Sequence, residues 1–395
     1  MNKPQHPLSR AAHRTLPATT PETAGLLDCD YFTTGRCHSC TDITVPYPEQ
    51  VAKKVARARE LIPARVWEEP FISEIEGYRN KVKLVVTGTA NQPKLGILGA
   101  GGGVDLRDCP LPSTGIRGAI PSIARFITAC GLDPYSPATD HGTLKYVIIT
   151  ESFDGELMVR FVARRRGVQG ILFKRRAELL REVPNIRVVS LNVQPERKAI
   201  IEGEEEILIT DHGVLPMRLG GELTLNVRPQ SFFQTQTECA AHLYTTAAEW
   251  LENVDSAWDL YCGVGGFAMA LAQLGNASKV IGVEVSEQAV EAARVAARDL
   301  PGVTFVAADV SEWIAEQGEE RPGAVVVNPP RRGISPELCA WLNESGPDYV
   351  LYSSCNAETL ARDVAAMPVY RVERAQVVDM FPHTKHFETL VLLKR

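Results

Sequence analysis

From Arg228 to its end the chain alternates between short β-branched runs and longer amphipathic ones, and that rhythm limits the fold more than any other feature. Ser256–Leu260 predicts a strand, residues 261–266 a turn, and a helix follows to Leu274. Lys279–Glu284 predicts the next strand and residues 286–300 the next helix. Val303–Ala307 and residues 324–328 predict two more strands, the second stopped by Pro329-Pro330. Pro336–Ser345 predicts a helix, residues 349–353 a strand and 357–367 a helix. Strands that return through helical crossovers lie parallel, and a parallel sheet needs both faces covered. The expectation is a doubly wound α/β sheet. The last two strands, 370–380 and 389–394, have no helix between them and should fold back as an antiparallel, hairpin-like edge.

Upstream the rhythm differs. Residues 71–227 read as a mainly β, α+β middle domain. Residues 83–89, 146–150, 157–162 and 207–210 are β-branched runs bounded by Gly, Asn or Asp, and 116–130 and 175–183 read as helices. Residues 28–70 form a short cysteine-bearing segment with a helical stretch at 48–61. Residues 1–27 are rich in Pro, Thr, Ala and His and read as a disordered tail. That tail has no apolar h-region, and no apolar run approaches the roughly 18 residues of a membrane span, so a signal peptide and a membrane anchor are not expected. Nine cysteines without an export signal suit a reducing cytoplasm, where metal or catalytic roles outweigh disulfides.

A net charge of −6 does not announce a nucleic-acid binder. Charge is nevertheless uneven. From Arg160 to Arg181 stand eight Lys or Arg (Arg160, Arg164, Arg165, Arg166, Lys174, Arg175, Arg176, Arg181) against one acid, Glu178. A solvated face is the simpler reading of such a run. A phosphate-contacting patch is the other.

Three segments of the C-terminal half carry chemistry. Asp259-Leu-Tyr-Cys-Gly263-Val-Gly265-Gly266-Phe267 follows the first strand and opens a helix, as a nucleotide-cofactor loop does. Glu284 ends the second strand, where an acid accepts ribose hydroxyls, and Asp309 follows the third, where an acid could meet an adenine amine. Ala268 breaks the G-x-G-x-x-G spacing that cradles a pyrophosphate, which favours S-adenosylmethionine over NAD. Asn328-Pro-Pro-Arg331-Arg332-Gly333 ends the fourth strand; the prolines stiffen it and Asn328 offers both a donor and an acceptor to a base edge. Arg331 stands where amino-methylating enzymes usually carry an aromatic residue, which leaves carbon as the target. Cys355 stands at the carboxyl end of the fifth strand, beside helix-terminal N–H groups that favour a thiolate. Carbon 5 of a pyrimidine becomes nucleophilic once a thiolate has added to carbon 6. A base must then remove the proton on carbon 5, and Glu388 is the candidate.

Together these motifs resemble the RNA uracil-5 methyltransferase family: Ser-Ser-Cys355-Asn, Asn-Pro-Pro-Arg, Asp-Leu-Tyr-Cys-Gly-Val-Gly-Gly-Phe, Asp379-Met-Phe-Pro-His-Thr-x-His-x-Glu388 and Arg228-Pro-Gln-Ser-Phe-Phe-Gln234-Thr. The resemblance covers Arg228 to the C-terminus and implies a Rossmann-like, class I S-adenosylmethionine methyltransferase sheet over 228–395. It implies Cys355 as nucleophile, Glu388 as base, and Gln234, Tyr261, Glu284 and Asn328 as S-adenosylmethionine contacts, with Asn328 also near the uracil. Many relatives carry Phe where this chain has Tyr261, a change that keeps the aromatic contact.

Cys29, Cys37 and Cys40, followed much later by Cys109-Pro110, suit a [4Fe–4S] cluster; a four-thiolate zinc site would need the same residues. The resemblance favours the cluster, which ribosomal-RNA members carry and transfer-RNA members typically do not. Its expected role is structural or RNA-facing, since methyl transfer needs no electron. Cys130, Cys239, Cys262 and Cys339 read as packing residues. One cluster-bearing branch has an extra small β-barrel ahead of the cysteines, and the 28 residues before Cys29 are too few for it. Residues 32–40, Gly77-Tyr-Arg-Asn-Lys-Val-Lys83 and Lys145-Tyr146 also resemble the shorter branch, which methylates uracil 747 of 23S ribosomal RNA. The expectation is therefore a cytoplasmic, monomeric enzyme with 23S ribosomal RNA as partner. Its rivals are a transfer-RNA uracil or RNA cytosine methyltransferase and an inactive RNA-binding iron–sulfur protein.

Overall fold

The computed structural model describes residues 26–99, 101–197, 200–219 and 223–395. Most of the expected tail lies outside these residues. The chain opens with α1 (Asp30–Thr33), α2 (Tyr47–Leu61) and the two-residue strand β1 (Val66–Trp67). A first sheet then forms from β2 (Lys81–Thr89), β3 (Gln92–Gly99), β4 (Gly102–Asp105), β5 (Leu144–Glu151), β6 (Leu157–Ala163), β7 (Ile186–Val193) and β8 (Glu205–Leu208), in the order β4-β3-β2-β5-β6-β7-β8. It is antiparallel except at β6 and β7, which α4 (Val168–Glu182) joins by a crossover. α3 (Thr114–Ala129) lies with α4 against one face, burying Leu84, Val147, Phe161, Ile120 and Leu172.

The hairpin β9 (Leu215–Arg218) and β10 (Thr224–Val227) leads to α5 (Thr237–Trp250) and the second sheet. That sheet uses β11 (Ser256–Leu260), β12 (Lys279–Glu284), β13 (Val303–Ala307), β14 (Ala324–Val327), β15 (Tyr349–Ser354), β16 (Arg371–Val378) and β17 (Glu388–Lys394). The helices between them are α6 (Gly266–Gln273), α7 (Glu287–Ala296), α8 (Val310–Glu316), α9 (Pro336–Ser345) and α10 (Ala357–Ala365). Strands β11 to β15 are parallel, as the alternation predicts. α7 ends at Ala296, short of the expected residue 300, and Pro301 disfavours helical backbone at residue 300 itself.

The final pair corrects the expected edge. β17 inserts antiparallel between β15 and β16, and β1 closes the outside by pairing parallel with β16, giving β1-β16-β17-β15-β14-β11-β12-β13. β17 is almost wholly apolar and buried, which suits a central strand, whereas a two-residue strand blunts an edge. The two sheets are not separate bodies. Met158 and Val188, from the face of the first sheet away from α3 and α4, join one core with Leu225, Leu243, Phe267 and Leu390. α5 was not among the expected elements. It is buried nearly all round, so its sequence shows no single apolar stripe.

Candidate active site

Cys355 sits in the turn between β15 and α10, half-buried. The turn is locked on both sides. Asn356 caps α10, its Oδ1 accepting from the Glu358 and Thr359 amides at 3.1 and 3.4 Å, and Ser354 Oγ accepts from the Asn356 amide at 3.1 Å. Burial pushes the Cys355 thiol up, and the Glu388 carboxyl pushes it the same way. The Arg331 guanidinium near the sulfur pulls it down. Arg331 is thus the group that favours the thiolate. Its presence after the prolines was visible in the sequence, but its contact with the sulfur was not.

Glu388 is the first residue of β17, beside the end of β15, and is only 2% exposed. Its Oε1 accepts from Ser353 Oγ at 2.7 Å. Burial raises its pKa to about 7, with the Ser353 bond acting downward. Cys355 and Glu388, 33 positions apart by their numbers, are thereby brought within electrostatic reach of each other.

Asn328 follows β14, half-buried, at the head of the double-proline loop. Asp363, on α10, anchors that loop, a task no motif signalled. Its Oδ2 accepts from the Ile334 amide at 3.0 Å and from the Tyr352 hydroxyl at 2.8 Å, and its Oδ1 pairs with Arg362. Gly333, at φ +84°, presses against the Asp363 carboxylate with no room for a side chain. Asn356 Nδ2 donates to the Arg331 carbonyl at 3.4 Å, so the Asn-Pro-Pro-Arg loop and the Cys355 turn are tied together.

The cofactor loop lies at the carboxyl ends of β11 and β12. Glu284 accepts from the Gly263 amide at 3.1 Å through Oε2 and from the Ser286 amide at 3.0 Å through Oε1. Gly265 caps α6 in the left-handed region at φ +83°, packed against Phe305. Tyr261 holds φ +65°, a conformation that non-glycine residues adopt chiefly where surroundings impose it. Asp259 is fully buried. Its Oδ2 accepts from the Ala268 amide at 2.9 Å and its Oδ1 has no partner. Burial raises this carboxyl to about 8. Gln234 is buried between the two sheets, its carbonyl accepting from Asn80 Nδ2 at 3.1 Å. Asp309 caps α8, its Oδ1 accepting from the Ser311 and Glu312 amides.

Cys29, Cys37, Cys40 and Cys109 are all half-buried. Cys40 is pushed up to about 12, first by burial and then by the Cys109, Cys37 and Cys29 sulfurs, with the Arg79 guanidinium acting the other way. The four thiols therefore share one neighbourhood. Among the described residues no three His, Cys, Asp or Glu side chains are gathered closely enough to hold a metal ion. The basic run proves divided. Arg160 is buried against Glu206 and Glu202, and Arg164, Arg166 and Arg175 pair with Asp140, Glu205 and Glu178.

A family described as "tRNA (Uracil-5-)-methyltransferase" matches residues 318–395, and one described as "Methyltransferase domain" matches 257–328. The 23S rRNA (uracil(747)-C(5))-methyltransferase RlmC of Xenorhabdus bovienii is 42% identical over 376 residues, 93% of this chain and 99% of that protein. The chain belongs to the RNA uracil-5 methyltransferase family. The Yersinia enterocolitica protein of the same name is 41% identical over equal shares. Among solved structures, the Pyrococcus abyssi tRNA (uracil-54, C5)-methyltransferase in complex with S-adenosyl-L-homocysteine is 28% identical, with a TM-score of 0.76 over 90% of this chain and 85% of that one. The expected Rossmann-like methyltransferase fold is the observed one.

Proposed function

We propose that this uracil-5 methyltransferase family member methylates carbon 5 of uridine 747 in 23S ribosomal RNA, the base that the names of its RlmC relatives specify. The observation that carries the chemistry is the pairing of Cys355 and Glu388 on neighbouring strand ends, one steadied by Arg331 and the other buried with a pKa of about 7. Bound S-adenosylmethionine supplies an electrophilic methyl group. The loop fits such a ligand: Gly263 and Gly265 take positive φ, Glu284 is held against the loop, and the buried Asp259 Oδ1 is unpartnered. Gln234, Tyr261, Glu284 and Asn328 are assigned to hold it.

Cys355 adds as thiolate to carbon 6 of a uridine extruded from its RNA loop, which makes carbon 5 the nucleophile. Arg331 offsets the negative charge on the sulfur both before addition and after departure. Once carbon 5 carries the methyl group, Glu388 takes the proton from that carbon, the double bond re-forms, and the Cys355 sulfur leaves. With a pKa near 7, Glu388 can accept the proton and release it near neutral pH.

Cys29, Cys37, Cys40 and Cys109 are assigned to a [4Fe–4S] cluster. Four half-buried thiols sharing one electrostatic neighbourhood, with the Arg79 guanidinium beside them, support this reading, and the cluster would draw them closer together than they stand here. It would brace the N-terminal segment, and no catalytic step passes through it. No helix among the described residues is long and apolar enough to cross a membrane. A monomer working on ribosomal RNA in the cytoplasm completes the proposal.

Methyl transfer from labelled S-adenosylmethionine, with anaerobically purified protein and with unmodified 23S and transfer-RNA transcripts as acceptors, tests it. A single 5-methyluridine at position 747 is the expected product. Label confined to transfer RNA would overturn the substrate, and no label in either RNA would overturn the activity.

A further inference from the structure

The connection between β16 and β17 closes a hairpin whose ladder sets Val378 opposite Glu388. Its first five residues, Asp379 to His383, are held mainly by the N-terminal segment. Lys54 Nζ donates to Asp379 Oδ1 at 2.8 Å and to the Phe381 carbonyl at 3.0 Å, and this ion pair is buried on both sides. One turn earlier on α2, Gln50 Oε1 accepts from the His383 amide at 2.7 Å, while its Nε2 donates to the Asp42 and Val45 carbonyls at 3.1 and 2.8 Å. The Asp42 amide donates to the His383 carbonyl at 2.9 Å, and His383 Nε2 donates to the Ile75 carbonyl at 2.7 Å. Ser73 Oγ adds a bond to the Asp379 carbonyl at 2.9 Å.

Two features set this apart from ordinary packing. Gln50 and Lys54 lie four residues apart, on one face of α2, and are 1% and 4% exposed. Apolar side chains at those positions would pack without the desolvation that a buried amide and ammonium demand. His383 also holds φ +65°, a backbone state that persists only where neighbours over-determine it. The polar face of α2 is therefore matched to one conformation of this turn. The nucleophile depends on other supports, namely β15, Asn356 and Arg331. α2 meets α10 through other residues, the exposed Arg57–Glu358 pair and the core that Ala58 and Ile62 share with Ala357 and Leu360, not through Gln50 or Lys54.

We propose that Gln50 and Lys54 are positioning residues for the elimination half of the reaction. They fix the Asp379–His383 turn, and through it the hairpin register that aims the Glu388 carboxylate. This rests on Glu388 acting as the base. Addition of Cys355 and methyl transfer should be insensitive to both residues, while proton removal should not.

The test uses full-length protein with its native cofactors in a single turnover on 23S transcript with labelled S-adenosylmethionine. Denaturing gels follow the covalent protein–RNA species, and the label follows methyl transfer. In Gln50→Met and Lys54→Met, label should enter the adduct at the wild-type rate while the adduct decays roughly ten- to a hundredfold more slowly, since small misplacements cost that much. Glu388→Gln is the reference, in which the adduct should persist. Adduct persisting there but decaying at the wild-type rate in both other variants overturns the positioning role alone. Equal slowing of label entry and decay in both also overturns it, by showing a general structural defect. No adduct with Glu388→Gln overturns the base assignment and this inference together. Gln50→Met leaves no buried charge behind, so it keeps the test decisive if Lys54→Met does not fold.

Discussion

At the residue scale, Glu388 as the proposed base gives the protein two pH dependences of opposite sense. A base must be ionised to take a proton, and burial holds this carboxyl at about 7, so elimination should slow as pH falls below about 7. Stability runs the other way. The folded state binds this proton more tightly than the unfolded chain, where the pKa is 4.5. The stabilisation is complete below that unfolded value and is lost as pH rises through about 7. Somewhat more than two pKa units correspond to about 3 kcal/mol. Glu388→Gln should therefore raise the melting temperature at pH 8 and leave it unchanged at pH 4. Equal shifts at both pH values in scanning calorimetry would rule this out. Cys355→Ala should yield neither methyl transfer nor adduct while melting like the wild type; a residual turnover above a few per cent would mean that another group adds to carbon 6. The candidate residues Cys355, Glu388 and Glu284 were legible because each stands at a strand end inside a local motif. The Arg331–sulfur and Ser353–Glu388 contacts and the Asp363 anchor join residues on different elements, and no sequence spacing records them.

At the element scale, the parallel strands were readable nearly to the residue, because each is a short apolar run with a clear stop. Two other buried elements were not. α5 lacked a stripe, and β7, which lies inside the first sheet, was not among the expected strands. The order of the last two strands was equally hidden, since a hairpin inserts into a sheet or extends it with the same local sequence. Asp363 shows what such packing supports. Removing it leaves the Ile334 amide and the Tyr352 hydroxyl buried without acceptors and frees the Asn-Pro-Pro-Arg loop from α10. Asp363→Ala should cost about 3 kcal/mol or more in urea unfolding. It should also lower kcat more than the affinity for S-adenosylmethionine, because the loop it releases carries Arg331, which contacts Cys355. A variant that loses stability but keeps kcat would show that the loop holds its place without α10.

At the scale of the whole molecule, the sequence divides the chain in order, while the packing joins parts distant in order. β1 pairs with β16, Phe71 bridges to Val378, and Ala58 and Ile62 share a core with Val391 and Leu393. The first sheet contributes Met158 and Val188 to the core of the second. The buried Lys54–Asp379 pair adds a connection that neither end can break without leaving a charge in the interior. Each expected segment would, by itself, expose apolar surface that here lies inside. Unfolding should consequently be cooperative across all of them. Scanning calorimetry of the full chain should give one transition with matching calorimetric and van't Hoff enthalpies. Two resolved transitions would mean that the sheets hold their structures independently. In that case the N-terminal segment could not brace the Asp379–His383 turn through the shared core, and the loop bearing Glu388 would have to draw its order from the second sheet alone.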